Sequence, residues 1–247
     1  MEKMVEKKYI APNAITAANM LLGYLSIIMS IRGNIDYAIW SIFLAMVCDG
    51  LDGKTARKLD AFSEFGKEFD SFSDAISFGI APSILVYSVL SISDRFASYI
   101  PDTIAPFVVP VAFIYALCGV MRLVKFNVVT VAKEEKDDFS GMPIPNGAGV
   151  VISYILICET IEKHFGTQLF TIEGFVGITI VAAVLMVSTI PFLTPDKVFR
   201  IPKKFMIFFV IIVLATLKYS MFVISVYYIL YNLVQVFIHR KETREIK

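Results

Sequence analysis

Imidazole and thiol are scarce in this 247-residue chain, which has two histidines and three cysteines. His164 and His239 flank the ends of apolar runs, while Cys48, Cys118 and Cys158 are scattered through apolar stretches with no CxxC pair. Zinc chemistry is thereby excluded, because neither of its preferred soft and imidazole ligands falls in the acidic cluster described below. The cysteines read as small packing residues. Net charge is also nearly absent, at +1, so the chain carries no basic footprint for nucleic acid. No small-x-small cleavage site follows the first apolar run before Arg32, and the N-terminus is expected to be retained.

What the chain does have is apolar mass. It is 57% hydrophobic, with a mean hydropathy of +0.70, whereas a soluble domain runs at about 45–50% on a comparable count. The expectation is an all-α polytopic membrane protein forming a single integral membrane domain, 1–247. Eight apolar runs are candidate spans, at 14–31, 37–57, 68–92, 104–124, 148–161, 174–192, 205–217 and 221–238. The seventh is short for a bilayer that wants about 20 residues.

Punctuation supports these limits. Pro12-Asn13 marks the start of the first run and Gly33-Asn34 a tight turn after it. Asp94-Arg95 and Pro101-Asp102 mark the next turn; a polar segment at 133–140 follows the fourth run, whose end releases Arg122, Lys125 and Asn127. The sequence Gly141-Met142-Pro143-Ile144-Pro145-Asn146-Gly147 is a rigid, turn-rich lead into the fifth run, and Lys218-Tyr219-Ser220 joins the last two. Residues 1–12, with Lys3, Lys7 and Lys8, read as a basic tail or a short interfacial helix. Placed on alternate sides of eight spans, nineteen of the 23 Lys and Arg residues fall on one side and four on the other. By the positive-inside rule both termini, including the tail 239–247, are cytoplasmic.

Against this background four aspartates stand out, Asp49, Asp52, Asp70 and Asp74, interleaved with Gly53, Ala56, Arg57 and Gly66. On helices the spacings place Asp49 and Asp52 about 60° apart and Asp70 and Asp74 about 40° apart, so two faces confront each other with acid. A carboxylate at the centre of a membrane helix costs roughly 2.5–3.5 kcal/mol. A multivalent cation, protonation or a water-filled cavity must offset that, and the charge count puts the acids at the cytoplasmic edge, which favours a cation with water. Oxygen-only ligands select a hard cation, Mg²⁺, Mn²⁺ or Ca²⁺. Four carboxylates on two facing helices suffice for two ions, an arrangement suited to in-line displacement at phosphorus. Gly53 and Gly66, with Ala56, leave room for close approach of a nucleotide or diphosphate; small residues there also suit helix packing, and Arg57 suits an anchor.

The pattern Asp49-x-x-Asp52-Gly53-x-x-Ala56-Arg57-x8-Gly66-x-x-x-Asp70-x-x-x-Asp74 resembles the signature of the CDP-alcohol phosphotransferases in every element and spacing. That resemblance implies a six-helix membrane core, here 14–192, a homodimer, and divalent-metal-dependent transfer of a substituted phosphate from a CDP-linked donor to an alcohol. The runs within 205–238 would be two additional spans. Three further stretches, 70–82, Arg122-Leu123-Val124-Lys125-Phe126-Asn127 and Phe139-Ser140-Gly141-Met142-Pro143-Ile144-Pro145, resemble those of the membrane phosphatidylserine synthases. Lys125 departs from them where an arginine is common, keeping the charge but losing a bidentate fork.

The resemblance implies CDP-diacylglycerol and L-serine as substrates among the membrane lipids, and Mg²⁺ or Mn²⁺, as two ions, held by Asp49, Asp52 and Asp70. Asp74 would combine proximity to metal with the role of general base or orienter of the serine hydroxyl. Gly53, Ala56 and Gly66 would receive the cytidine nucleotide and Arg57 would support its phosphates or the acids. Arg122, Lys125 and Arg200 would bind the serine carboxylate or the lipid phosphate, and Asn127 would present its amide to serine. Rival readings are a transferase using glycerol 3-phosphate or inositol, a divalent-cation transporter, and an aspartate-rich prenyltransferase. Transport does not require the glycine spacing, and the chain lacks internal repeats at half its length.

Overall fold

The computed structural model describes residues 7–92, 104–132, 139–167, 169–193, 198 and 216–245. They are overwhelmingly helical, and the chain divides into two compact units, Met1–Leu123 and Val124–Lys247. Five described helices are long and apolar enough to cross a membrane, the segments Lys7–Ile31, Glu64–Ser91, Ala105–Val128, Ile144–Phe165 and Tyr219–Val236, with a shorter apolar helix at Ile172–Val187. The protein is an integral membrane protein of all-α class.

The first unit starts with a helical hairpin, α1 (Lys7–Ile31) and α2 (Ile35–Leu59). Gly33, at φ 74°, ends α1 by letting the chain turn left-handed, while the N–H groups of Gly33 and Asn34 donate to the carbonyls of Ser30 and Met29. At the far end of α2, Asp60 (φ 48°) takes the same role: its N–H reaches Arg57 and that of Ala61 reaches Ala56. Ser63 then caps α3 (Glu64–Asp74), its hydroxyl accepting from the Gly66 N–H at 3.0 Å. The tight connection between these caps brings α3, whose second half carries Asp70 and Asp74, back beside the Asp49 and Asp52 end of α2.

From Asp74 the rod continues through a π-helical stretch, Ala75–Ile80, into α4 (Ala81–Ser91). Pro82 has no N–H to offer the carbonyl of Phe78 four residues back, and that carbonyl accepts instead from the buried Tyr115 hydroxyl at 3.2 Å. Tyr115 belongs to α5 (Val108–Ala132), preceded by a 3₁₀ turn at Ala105–Phe107; Ser83 adds a second tie by donating to the Ala112 carbonyl.

The packing logic is that of lipid. The buried face of α1 consists of Pro12, Thr16, Asn19, Gly23, Ser26 and Ser30, while Leu21, Tyr24, Leu25 and Ile31 are exposed. Small and hydroxylated residues let helices approach closely and leave the large apolar side chains for acyl chains. Ser73, Ser77 and Ser88 donate to the α1 carbonyls of Thr16, Asn19 and Ser30. A Cβ at Gly23 would lie 2.7 Å from the Cα of Ser77, so only glycine permits this approach.

In the second unit a two-residue antiparallel ribbon pairs β1 (Phe139–Ser140) with β2 (Pro191–Phe192), in the register Phe139 with Phe192 and Ser140 with Pro191. It is followed and flanked by α6 (Ile144–Phe165), α7 (Ile172–Val187) and α8 (Leu217–Glu245), with α6 packed against α7 and α8. Gly141, at φ 87°, closes the ribbon; its N–H donates to Ile190 and that of Met142 to Leu185.

Several expected limits shift. Pro12 does not start the first helix, which is already helical at Lys7 and carries the proline in its second turn, where the Lys8 carbonyl loses its backbone donor. Lys125 and Asn127 lie within α5 rather than beyond it, because Val128–Ala132 prolong the helix. Proline at its first turn lets α6 begin at Ile144, α7 stops at Val187 before the ribbon, and the supposed joint Lys218-Tyr219-Ser220 is inside α8. The α2 helix carries Asp36, Asp49 and Asp52 as well as Lys54, Arg57 and Lys58, and is not among the helices apolar enough to count as a span. The expected seventh run, 205–217, and Arg200 lie almost wholly outside the described residues.

Candidate metal and nucleotide site

The α2–α3 connection brings the aspartates together in the first unit. Asp49, Asp70 and Asp74 each offer a carboxylate oxygen, and these oxygens all lie within 4.8 Å of one another. At an effective dielectric near 20, two charges at that distance repel by about 3 kcal/mol. Arg122 is buried in α5 within electrostatic reach of Asp49 and Asp74, and its single charge offsets only part of the acid. Arg122, expected at the serine carboxylate or lipid phosphate, thus lies near the aspartates as a countercharge.

Each carboxylate is held differently. Asp74, on the last turn of α3, accepts from the Asn19 amide at 3.3 Å, and Asp52 accepts from the Thr16 hydroxyl at 2.7 Å. The Asp70 Oδ1 atom is buried without a hydrogen-bond partner. A buried carboxylate oxygen without a donor is costly unless a cation meets it. Oxygens on opposite sides of a hard cation lie about 4–5 Å apart. Donor type, spacing and the orphaned oxygen therefore all fit a divalent cation at Asp49, Asp70 and Asp74. The π-helical stretch begins at the next residue, and such interruptions re-aim the side chains beside them.

Asp52, within electrostatic reach of all three, lies on the wall of a cavity of about 550 Å³. Gly53, Ala56, Gly66 and Asp70 line the same cavity, so three of the four expected nucleotide residues meet at one space, while Arg57 is not among the lining residues. A Cβ at Gly53 would have as its nearest neighbour the Arg57 Nη1, at 4.0 Å. Gly66 is more crowded, since a Cβ there would meet Ser63 Oγ at 3.0 Å and Asn13 Oδ1 at 3.4 Å.

The chain matches the family model described as CDP-alcohol phosphatidyltransferase over residues 9–193. It belongs to that family. The match takes in the acidic site, all of α1 to α7 except the first two residues of α1, and the ribbon, and it stops at Leu193. The chain is 32% identical over 190 residues to a CDP-diacylglycerol–serine O-phosphatidyltransferase of Helicobacter pylori, covering 77% of this chain and 74% of that one. It is 35% identical over 193 residues to an archaetidylserine synthase of Methanothermobacter thermautotrophicus, covering 77% and 72%. A third relative, the CDP-diacylglycerol–serine O-phosphatidyltransferase of Bacillus subtilis, is 42% identical over 134 residues, covering 54% and 68%.

Four residues around the acidic site and its cavity are not among those expected from the sequence. Asn13, Thr16 and Lys67 line the cavity, and Asn19 holds Asp74. A signal existed for three of them, polar residues spaced by three in an otherwise apolar run. Lys67 counted only toward topology. In the second unit Lys125 donates to the Ser188 carbonyl at 3.5 Å, and Asn127 is half-buried.

Proposed function

We propose that the protein transfers the phosphatidyl group of CDP-diacylglycerol to the hydroxyl of L-serine, giving phosphatidylserine and CMP. The observation that carries this reading is the cluster of Asp49, Asp70 and Asp74 beside a cavity lined by Asp52, Gly53, Ala56 and Gly66. The printed names of the Helicobacter pylori and Methanothermobacter relatives differ in the lipid and agree on serine.

The cavity receives the cytidine diphosphate, whose flat base packs against the backbone at Gly53 and Gly66, while Lys67 on the cavity wall, with Arg57 beside Gly53, is assigned to its phosphates. Asp49, Asp52, Asp70 and Asp74 would hold Mg²⁺ or Mn²⁺, as two ions. When bound, the metal neutralises the diphosphate and stabilises the attacking and leaving oxygens of an in-line displacement. Asp74, fixed by Asn19, orients the serine hydroxyl and takes its proton. The serine oxygen forms a bond to the phosphorus bearing diacylglycerol, the bridging P–O bond breaks, and CMP leaves with the electron pair. No cysteine or histidine nucleophile lies among these residues, so displacement is direct. Lys125, Asn127 and Arg200 are assigned to the serine carboxylate or the lipid phosphate. The protein works as a homodimer of eight-span chains, a single membrane domain with both termini and the acidic site on the cytoplasmic side.

CMP release from CDP-diacylglycerol, measured with and without L-serine and divalent metal, tests the reading. Serine-dependent release with formation of phosphatidylserine is expected. Release that requires glycerol 3-phosphate or inositol instead would refute the acceptor, and metal flux into sealed vesicles without CMP release would refute the transferase.

A further inference from the structure

Helix α8 lies beyond the family match, which ends at Leu193, yet it fastens the residue at that boundary. The fully buried Asn232 accepts from the Leu193 N–H at 2.7 Å, and the nearly buried Tyr228 donates its hydroxyl to the Leu193 carbonyl at 2.7 Å. Asn232 also donates to the Tyr228 carbonyl one turn back, which fixes the orientation of its amide. Two polar side chains in a membrane helix are costly unless satisfied. Here both are committed to the two backbone groups of one residue, as a neighbouring strand would be.

Leu193 directly follows β2, and the ring of Phe192 packs on that of Tyr228 with centroids 5.9 Å apart. The strand that Leu193 terminates pairs with β1 and supplies the Ile190 carbonyl to the Gly141 N–H. A few residues earlier, Ser188 gives its carbonyl to the Lys125 ammonium. The clamp thus sits at the open end of a short backbone platform whose other end holds Lys125 and whose partner strand leads into α6. A two-residue ribbon has too few ladder bonds to hold its own register, so the side chains of α8 decide where the platform lies.

We propose that Asn232 and Tyr228 are positioning residues that set the affinity for the acceptor through the 188–193 platform and Lys125. This rests on the assignment of Lys125 to the acceptor side. The clamp explains why a helix outside the family core is joined to it by buried polar groups rather than by apolar packing alone.

The test uses the full chain in lipid nanodiscs, with initial rates of CMP release measured against L-serine and CDP-diacylglycerol separately for Asn232→Leu, Tyr228→Phe and Lys125→Met. Loss of one hydrogen bond corresponds to a change of about two- to tenfold. Asn232→Leu and Tyr228→Phe should each raise the serine KM by about that factor and leave the CDP-diacylglycerol KM within a factor of about two. Unchanged serine KM in both variants overturns the proposal, as does a parallel loss for both substrates, which a merely structural role produces. If Asn232→Leu does not fold, Tyr228→Phe decides alone, since it keeps the ring contact and removes one hydroxyl. A Lys125→Met protein with normal serine KM refutes the acceptor assignment itself; a raised value there with silent α8 variants refutes only the clamp.

Discussion

Gly53→Ala pulls donor binding and folding in opposite directions. Gly53 is in the helical body of α2, where glycine costs roughly 0.5–1 kcal/mol relative to alanine because the unfolded chain has more freedom to lose. An added Cβ meets nothing closer than Arg57 Nη1 at 4.0 Å, so the folded state takes it without strain. The melting temperature should therefore hold or rise, by about 1–3 °C for a chain of this size. Gly53 also lines the 550 Å³ cavity. If the nucleotide lies against the Gly53 backbone, the overlap costs about 1–3 kcal/mol, a rise of roughly 5- to 150-fold in the CDP-diacylglycerol KM. Serine KM should stay near its original value. Thermal unfolding followed by tryptophan fluorescence, together with donor titrations of CMP release, gives both numbers. A stable variant with an unchanged donor KM would show that the nucleotide does not pack on this wall.

Other consequences are as direct. Asp70→Asn removes the charge at the orphaned Oδ1 and should abolish transfer while the helices stay intact by circular dichroism; activity near normal would contradict the metal assignment. Chelation by EDTA should stop CMP release, with Mg²⁺ or Mn²⁺ restoring it. Asn19→Leu removes a hydrogen bond to a carboxylate worth about 1.5–3 kcal/mol and should lower kcat by roughly 10- to 150-fold with little change in donor KM; a normal kcat would free Asp74 from dependence on α1. Gly141→Ala meets both a left-handed backbone and the Met186 carbonyl, and should destabilise the second unit, read as a lower melting temperature and lower yield of folded protein.

Much of this was legible in the chain because lipid imposes a coarse rule. Spans must be apolar and long, so composition was enough for an integral helical membrane protein. Any acid inside such a chain must have a purpose, so Asp49, Asp52, Asp70 and Asp74 declared themselves by cost alone. Their spacing is local, within two helices and one short connection, and the glycines between them belong to the same stretch; that is why the cavity wall of Gly53, Ala56 and Gly66 could be named from residues close in sequence.

Tertiary structure decided what depends on contacts between distant segments. Thr16 and Asn19 are separated from Asp52 and Asp74 by 36 and 55 residues, and nothing in their own neighbourhood says which carboxylate each will meet. The grouping of Asp49, Asp70 and Asp74 around one space, with Asp52 and Asp70 both on the cavity wall, depends on how α2 and α3 pack. Arg122 became a countercharge only when α5 packed on the central rod. The hold of Tyr228 and Asn232 on Leu193 links segments 35 and 39 residues apart. Hydropathy places helices in a bilayer, but it carries no information on which faces meet; hydrogen bonds across those faces do, and they exist only once the helices have packed.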